Sequence, residues 1–304
     1  MVDETKTLGS NGKAEAKNGD QREASYSTDF PQTVISVEDV NRQARTIKTT
    51  ISQERIGELA RNEPYVSIEN LNAGYGKMEI LHDFNLQVAK GQSLCLIGPN
   101  GAGKSTILHS IFGFTDIYSG RILIGDNETK NDVTALTSSE KLKDAGIAYI
   151  LQDKSVFPNM TVEENLWMGG YLMETKDQAK EAAELIFQKY DRLAARRSHA
   201  AGVLSGGERR LLEISRALVM GPEILLVDEP SIGLEPRFID MVFEILDDLQ
   251  HNEKKTIIMV EQNAKKGLEF ADVGYVLVAG ELAIAGPGDE LLQNPEVGRL
   301  FLGG

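Results

Sequence analysis

GPNGAGKST, at residues 98–106, is the most informative segment of this 304-residue sequence. It follows the apolar run SLCLIG and opens the helical pattern KSTILHSIFG, a context typical of a phosphate-binding loop rather than of an ordinary glycine-rich turn. Glycines let successive N–H groups face an anion, and the helix N-terminus adds partial positive charge. We expect Lys104 to reach the β and γ phosphates of a nucleotide and Ser105 to ligate Mg²⁺. The predicted nucleotide-binding residues here are Gly98, Pro99, Asn100, Gly101, Ala102, Gly103, Lys104, Ser105 and Thr106.

A second apolar run, ILLVDEP at residues 224–230, ends in two carboxylates. A buried strand ending at Asp228 would place this carboxylate at the sheet edge beside the phosphate loop, where it is expected to hold Mg²⁺. Glu229 would orient or deprotonate an attacking water, since phosphoryl transfer to water depends mainly on positioning. An isolated DEP is more often a strand exit, but its pairing with the phosphate loop favours the catalytic interpretation.

The segment LSGGERRLLEISRAL, residues 204–218, predicts a capped helix and a second anion site. Ser205 and Glu208 form a capping-box pattern, and Gly221 with Pro222 is a stop signal. A cap alone does not require Gly206 and Gly207, each of which costs up to ~1 kcal/mol against alanine inside a helix. The two glycines therefore indicate that another group approaches this backbone closely. Two phosphate-binding helix starts in one chain suggest that the second serves the nucleotide of another subunit.

The remaining hydrophobic pattern predicts an α/β architecture. Residues 65–71 (YVSIENL) and 85–90 (NLQVAK) alternate as half-buried strands do, whereas 256–260 (TIIMV) and 274–278 (GYVLV) are continuous apolar runs typical of buried parallel strands. Between residues 162 and 221 the pattern is almost wholly helical and contains no strand candidate. The simplest architecture is a nucleotide-binding α/β core with an inserted helical subdomain.

Composition narrows the class of protein further. The chain is 41% hydrophobic and 26% charged, as soluble globular proteins are, and its net charge of −14 argues against sequence-independent nucleic-acid binding, which needs a basic face. Its one cysteine, Cys95, excludes a disulfide within the chain and is expected to be a buried apolar residue. We expect disorder over residues 1–30 and amphipathic helix within 37–62. No signal peptide or membrane-spanning run is predicted, so we expect a cytoplasmic location.

Taken together, GPNGAGKST, LQD (151–153), LSGGE and LLVDEP resemble the ATPase subunit of an ABC transporter in order and spacing, over residues 65–304. The resemblance implies an α/β P-loop cassette core, an inserted all-helical signature subdomain at about 153–221 and an antiparallel β subdomain, preceded by an extension at 1–64. In this family two cassettes pair head to tail, and each ATP lies between one phosphate loop and the partner's signature. The signature residues that would contact the partner's ATP are Leu204, Ser205, Gly206, Gly207 and Glu208.

The resemblance also implies roles for two isolated residues. Tyr75, in AGYGK, would stack on adenine, although it could be a turn aromatic that packs on the core. Gln152 would contact Mg²⁺ and the attacking water and couple to the membrane subunit, although it could be a solvated strand end. Residues 154–172 would line a groove for a helix of the transmembrane partner. Trp167 and Met168 fit this groove and the core of the helical subdomain equally well.

The segment VEQN, residues 260–263, departs from most transporter cassettes, in which the position of Gln262 is a histidine that senses the γ-phosphate. Loss of activity, a chance polar substitution and subfamily identity are the three interpretations. VEQN occurs with DEPSIGL, ADVGYVL, TVEENLWMGG and a terminal FLGG, a set similar to ATPases of branched-chain and hydrophobic amino-acid importers. We interpret Gln262 as a subfamily mark. An amide donates a hydrogen bond but carries no charge, so we expect a working, slower site.

The resemblance therefore implies an ATPase subunit that powers import of neutral or branched-chain amino acids from the inner face of the plasma membrane. Its partners would be a second ATPase subunit (a paralogue or a copy), transmembrane permease subunits and, indirectly, an external substrate-binding protein. Urea or short-amide import is one alternative. Lipopolysaccharide export is another, since LSGGERR resembles the signature of those ATPases. A soluble cassette ATPase acting on ribosomes or DNA, and a regulatory subunit without turnover, are rivals of other classes.

Overall fold

The computed structural model describes residues 51–126, 129–152 and 155–302. The disorder expected over residues 1–30 and most of the helical segment expected within 37–62 lie outside the described residues. The described chain begins with helix α1, Gln53–Leu59, which Ser52 caps by accepting a hydrogen bond from the amide of Arg55. Its apolar side chains are buried in the core.

A four-stranded antiparallel sheet follows α1. Its strands are β1 Pro64–Tyr75, β2 Met78–Ala89, β4 Asp116–Ile124 and β5 Asn131–Asp132, in the order β2-β1-β4-β5. The two segments predicted as half-buried strands lie within β1 and β2. The sequence pattern did not predict β4, whose first half is mostly exposed and polar. This sheet is the antiparallel β subdomain that the resemblance implied.

A six-stranded sheet forms the second layer of the structure. Its strands are β3 Ser93–Ile97, β6 Ile147–Ile150, β7 Ile224–Asp228, β8 Thr256–Val260, β9 Val273–Val278 and β10 Glu281–Pro287, in the order β10-β9-β3-β8-β7-β6. All neighbouring strands from β9 to β6 are parallel, and β10 pairs with β9 antiparallel. The four predicted apolar runs form β3, β7, β8 and β9, which are buried throughout because both faces of the sheet are covered.

The other helices surround this sheet. They are α2 Lys104–Phe112, α3 Ser138–Lys143, α4 Val162–Gly169, α5 Lys176–Lys189, α6 Asp191–Ala194, α7 Gly206–Leu218, α8 Pro236–His251, α9 Ala264–Phe270, α10 Gly288–Gln293 and α11 Pro295–Phe301. Between β6 and β7 the described residues form only helices and turns, apart from a single bridge between Thr161 and Ala200. The predicted capping box of Ser205 and Glu208 begins α7, which ends three residues before Gly221.

Alternate residues of the core strands point to opposite faces of the sheet. On β3, Leu94 and Leu96 belong to the core under the antiparallel sheet, whereas Cys95 and Ile97 belong to the core under the helical region. Cys95 is buried, as expected, and burial raises the pKa of its thiol strongly. Among the described residues, no helix has the length and hydropathy needed to cross a bilayer.

Candidate active site

The phosphate-binding loop joins β3 to α2, and three glycines set its backbone conformation. Gly98, Gly101 and Gly103 have φ angles of +148°, +80° and +97°. A Cβ atom on Gly98 would lie 2.3 Å from the carbonyl oxygen of Leu277, so no side chain fits there. Gly101 faces open space, and its backbone angle alone requires glycine. The loop therefore has the conformation that close approach of a phosphate group needs.

The turn between β9 and β10 supports this loop, a contact that sequence analysis missed. The amide of Gly280 donates to the carbonyl of Ala102 over 2.9 Å, and the amide of His82 donates to the carbonyl of Gly280 over 3.3 Å. Ala279 and Gly280 both have positive φ, as a two-residue type I′ hairpin requires. The dipeptide Ala279-Gly280, which directly follows the apolar run GYVLV, was the sequence signal that could have identified this turn.

Lys104 is held against the loop itself. Its side chain is almost fully buried, and its Nζ donates to the carbonyls of Gly98 (2.9 Å) and Pro99 (3.1 Å). Burial lowers the pKa of Lys104, and the nearby carboxylates of Glu229 and Asp228 oppose this shift. The ammonium group therefore contacts the loop directly and interacts electrostatically with the two carboxylates at the end of β7 and just after it.

Ser105 and Asp228 meet at the start of α2, as predicted. The hydroxyl of Ser105 donates to Asp228 Oδ1 over 3.2 Å, and the hydroxyl of Tyr149 donates to Asp228 Oδ2 over 2.8 Å. Hydroxyl and carboxylate oxygens are ligands that Mg²⁺ prefers, and one or two protein ligands suffice because the ion retains waters and phosphate oxygens. The pair therefore fits Mg²⁺. Tyr149 was not predicted, because its partner is 79 residues distant in sequence.

Glu229 and Gln152 form the other half of this cluster. The Gln152 side-chain amide donates to Glu229 Oε2 over 3.0 Å, and Glu229 has a positive φ of +43°, which is rare for a residue with a side chain. Its amide donates to the carbonyl of Val260, which fixes this conformation. Burial, reinforced by Asp228, raises the pKa of Glu229. A carboxylate with a raised pKa accepts a proton more readily near neutral pH.

Gln262 lies two residues after β8, the strand between β3 and β7, and is exposed. Its neighbour Glu261 is buried and accepts hydrogen bonds from the Ser231 hydroxyl (2.7 Å) and from the amide of Asn263 (2.9 Å). These bonds fix the backbone on both sides of Gln262 and tie it to the segment after Glu229. Sequence analysis missed Glu261, although a carboxylate directly after an apolar strand was a signal.

The signature residues form hydrogen bonds around the start of α7, and in the described part of the chain none of these bonds goes to the phosphate loop. The Ser205 hydroxyl accepts a hydrogen bond from the amide of Glu208, and the Glu208 carboxylate accepts one from the amide of Ser205. Arg196 donates a further hydrogen bond to Glu208 Oε1 over 3.2 Å. The hydrogen bond that the backbone amide of Ser205 donates to Glu208 is the main cause of the lowered pKa of this carboxyl. A Cβ on Gly207 would lie 2.1 Å from the ring of Phe238, whereas Gly206 has only Leu234 near it, at 3.8 Å. The close neighbour predicted from two glycines therefore comes from this chain at Gly207.

Tyr75, Trp167 and Met168 are the remaining residues that were predicted to have a role. Tyr75 is 43% exposed, and its hydroxyl is 2.6 Å from Nδ1 of His109 on α2. Its ring is therefore accessible and tethered to the helix that follows the phosphate loop. Trp167 packs on the core, whereas Met168 is 38% exposed and lines a groove with Phe157.

Comparison with known proteins gives consistent relatives. The family model described as ABC transporter matches residues 81–232. BraG of Pseudomonas aeruginosa, a high-affinity branched-chain amino acid transport ATP-binding protein, is 40% identical over 79% of this chain and 100% of its own length. LptB of Haemophilus influenzae, a lipopolysaccharide export system ATP-binding protein, is 30% identical over 78% of this chain and 97% of its own. The ADP conformation of MJ1267, an ATP-binding cassette of an ABC transporter, superimposes with a TM-score of 0.68 at 28% identity, over 80% and 99% of the two chains.

The phosphate loop, the paired carboxylates and these relatives define an ATPase of the cassette type. The chain belongs to the ABC transporter family.

Proposed function

We propose that this chain hydrolyses ATP at the cluster formed by its phosphate loop and the ends of β6 and β7. The observation that carries the proposal is the pair of contacts from Ser105 to Asp228 and from Gln152 to Glu229. Lys104 would bind the terminal phosphates, and Ser105, Asp228 and Gln152 would hold Mg²⁺. Mg²⁺, when bound, would neutralise charge that develops on the phosphate oxygens.

Glu229 would orient the attacking water and accept its proton. Its raised pKa supports this role, because a general base works best when its pKa approaches the operating pH. Gln152 would hold the carboxylate through the bond it already makes. Gln262 would donate an uncharged hydrogen bond to the γ-phosphate, which would make this site work more slowly than one with a histidine there. Tyr75 would provide an exposed aromatic face for adenine.

The signature would act on the nucleotide of a second ATPase subunit. The N-terminus of α7 supports this proposal, because its Ser205 and Gly206 are exposed and Gly206 has room for a ligand to approach. Leu204 is buried beneath them and would fix the start of the helix. One phosphate loop and one signature in each chain would give two sites in a head-to-tail pair.

Complementation between two inactive variants tests this pairing. Lys104→Met removes the phosphate contact, and Ser205→Arg blocks the signature. In a mixed pair, one site joins both defects and the other joins an intact loop to an intact signature. ATP hydrolysis by the mixture, absent from either variant alone, supports pairing between copies. If wild type is active but the mixture stays inactive, pairing between copies is contradicted.

The transported substrate is inferred from the relatives. We propose import of neutral or branched-chain amino acids through permease subunits, because BraG covers the cassette region at the higher identity. Urea or short-amide import rests on no separate feature of the site. Lipopolysaccharide export is a second candidate, favoured by the LSGGERR signature and by the similarity to LptB. Residues 1–64 would be an extension before a cassette at 65–304, bound to the inner membrane face through the groove lined by Phe157 and Met168.

Uptake by cells that lack this chain separates these substrates. Loss of labelled leucine uptake, restored by the wild-type gene but not by Glu229→Gln, supports amino-acid import. Unchanged leucine uptake together with loss of urea uptake, or with a damaged outer membrane, would contradict it.

A further inference from the structure

Helix α7 carries a buried ion pair one turn after the signature. Arg210 Nη1 lies 2.9 Å from Glu213 Oε2, and the two side chains are only 4% and 5% exposed. They are three residues apart and therefore lie on the same face of the helix. Neither residue belongs to the predicted catalytic or signature set.

Both side chains reach from α7 to the backbone that follows β6. Arg210 Nη1 donates to the carbonyl of Leu151 over 2.7 Å and to that of Gln152 over 3.3 Å. On the other side, Glu213 Oε1 accepts a hydrogen bond from the amide of Ser155 over 3.4 Å. The two oppositely charged side chains thus bind the backbone on both sides of Gln152: Arg210 binds two carbonyl groups, and Glu213 binds the amide of Ser155.

Stability alone does not explain this pair. Burying two charges costs more than their attraction returns unless every hydrogen bond is satisfied, and apolar replacements are often as stable. Nε and Nη2 of Arg210 have no partner among the described residues. What the pair does fix is the backbone of Gln152, whose side chain meets Glu229 at 3.0 Å.

The pair also lies between two surface cavities. Arg210 and Glu213 both line one cavity with Gln152 and with Gly206 of the signature. Glu213 also lines the groove that contains Phe157 and Met168. A displacement of α7 on either side would therefore move the carbonyls that Arg210 holds.

We propose that Arg210 and Glu213 are positioning residues that keep Gln152 in hydrogen-bond reach of Glu229 and couple this contact to the position of the signature helix. The proposal rests on the proposed ATPase role of Gln152 and Glu229. Arg210 touches neither of the reacting groups and acts through the backbone of Gln152.

Steady-state ATP hydrolysis by the purified full chain tests the proposal. Arg210→Met/Glu213→Met removes both charges and keeps the side-chain volume, so that no unpaired charge is buried. Its kcat should fall about 10- to 100-fold, because a small misplacement of a catalytic group has this effect, while the KM for ATP stays unchanged. Arg210→Lys keeps a positively charged donor at this position, so its kcat should lie between those of the wild type and of Arg210→Met/Glu213→Met. Arg197→Gln is the matched control, since it removes an arginine paired with Glu163 and Glu184 in the same helical region.

The decisive comparison uses Gln152→Ala as the background. If the ion pair acts through Gln152, adding Arg210→Met/Glu213→Met to Gln152→Ala lowers kcat no further. A multiplicative loss in this background, or a stable double variant with wild-type kcat, overturns the proposal.

Hydrogen exchange at the Ser155 amide separates this proposal from the proposed function. The double variant should accelerate this exchange relative to wild type and to Arg197→Gln, whether or not the isolated chain turns over. Unchanged exchange contradicts the restraint. A wild-type chain without ATP hydrolysis, combined with accelerated exchange in the variant, contradicts the proposed function and leaves the restraint supported.

Discussion

The side chain of Gln152 donates a hydrogen bond to Glu229 over 3.0 Å. The contact follows from strand register, because Ile150 of β6 pairs with Val227 of its parallel neighbour β7. Gln152 and Glu229, each two positions after its paired residue, therefore emerge side by side. The same sheet edge carries the phosphate loop after β3 and Gln262 after β8. Parallel pairing therefore assembles, at one edge, residues that are 77 positions apart in sequence.

The two signature glycines should respond differently to alanine. Gly207→Ala should destabilise the fold by about 1–3 kcal/mol, because the new Cβ would overlap the ring of Phe238. Phe238→Leu should relieve much of this loss. Gly206→Ala should leave the free energy of unfolding unchanged or raise it by up to ~1 kcal/mol, and should lower ATP hydrolysis. Urea unfolding of the variants measures these differences, and equal destabilisation by both alanines would contradict the assignment.

Glu229 should store backbone strain. At φ +43° a residue with a Cβ destabilises the fold by about 1–2 kcal/mol. Glycine avoids this strain but loses more conformational entropy on folding, so it regains only part of that free energy. Glu229→Gly should therefore be more stable than Glu229→Ala by about 1 kcal/mol, although both lack the carboxylate and should be inactive. Thermal unfolding of the two variants measures the difference. If the alanine variant is as stable, position 229 carries no such strain.

Tyr149 should control the use of Mg²⁺ through Asp228. Tyr149→Phe keeps the ring but removes the hydroxyl that donates to Asp228 Oδ2. Loss of such an outer contact typically weakens a metal site about 10- to 100-fold, so half-maximal hydrolysis should require correspondingly more Mg²⁺. Tyr118→Phe is the control, because the Tyr118 hydroxyl bonds backbone carbonyls at the Gly76 turn. Identical Mg²⁺ titrations for both variants would argue against the role.

Lys141 should make stability depend on pH. It is fully buried on α3, and burial lowers its pKa to about 8, opposed by Asp132. Between pH values of about 8 and 10.5, the pKa values of Lys141 in the folded and unfolded protein, the unfolded chain binds more protons than the folded one. Stability therefore rises with pH through this window. Below about pH 8, the ammonium group of Lys141 is charged in the folded protein, and the full free-energy cost of burying this charge lowers the stability.

Lys141→Met should remove this rise, whereas Lys143→Met, at an exposed position of the same helix, should retain it. Unfolding free energies at pH 7 and pH 10 measure the contrast. A rise that persists unchanged in Lys141→Met would contradict the assignment.

Local pattern was sufficient for much of this fold. The apolar runs at β3, β7, β8 and β9, the capped start of α7 and the glycine loop each depend on residues close in sequence. The missed features join distant segments. Tyr149 meets Asp228 79 positions away, and Ser231 meets Glu261 30 positions away, because parallel strands bring their ends together. No local pattern could show that Phe238 covers Gly207.

Mg²⁺-dependent ATP hydrolysis by the purified full chain, beside Glu229→Gln and Gln262→His, tests the central claim most directly. Wild type should turn over slowly, and Glu229→Gln should lower kcat by about 100-fold or more while ATP still binds, because the proton acceptor is lost. Gln262→His should raise kcat, because a protonated imidazole stabilises charge that an amide cannot. Wild-type turnover by Glu229→Gln would contradict the assignment of the catalytic carboxylate.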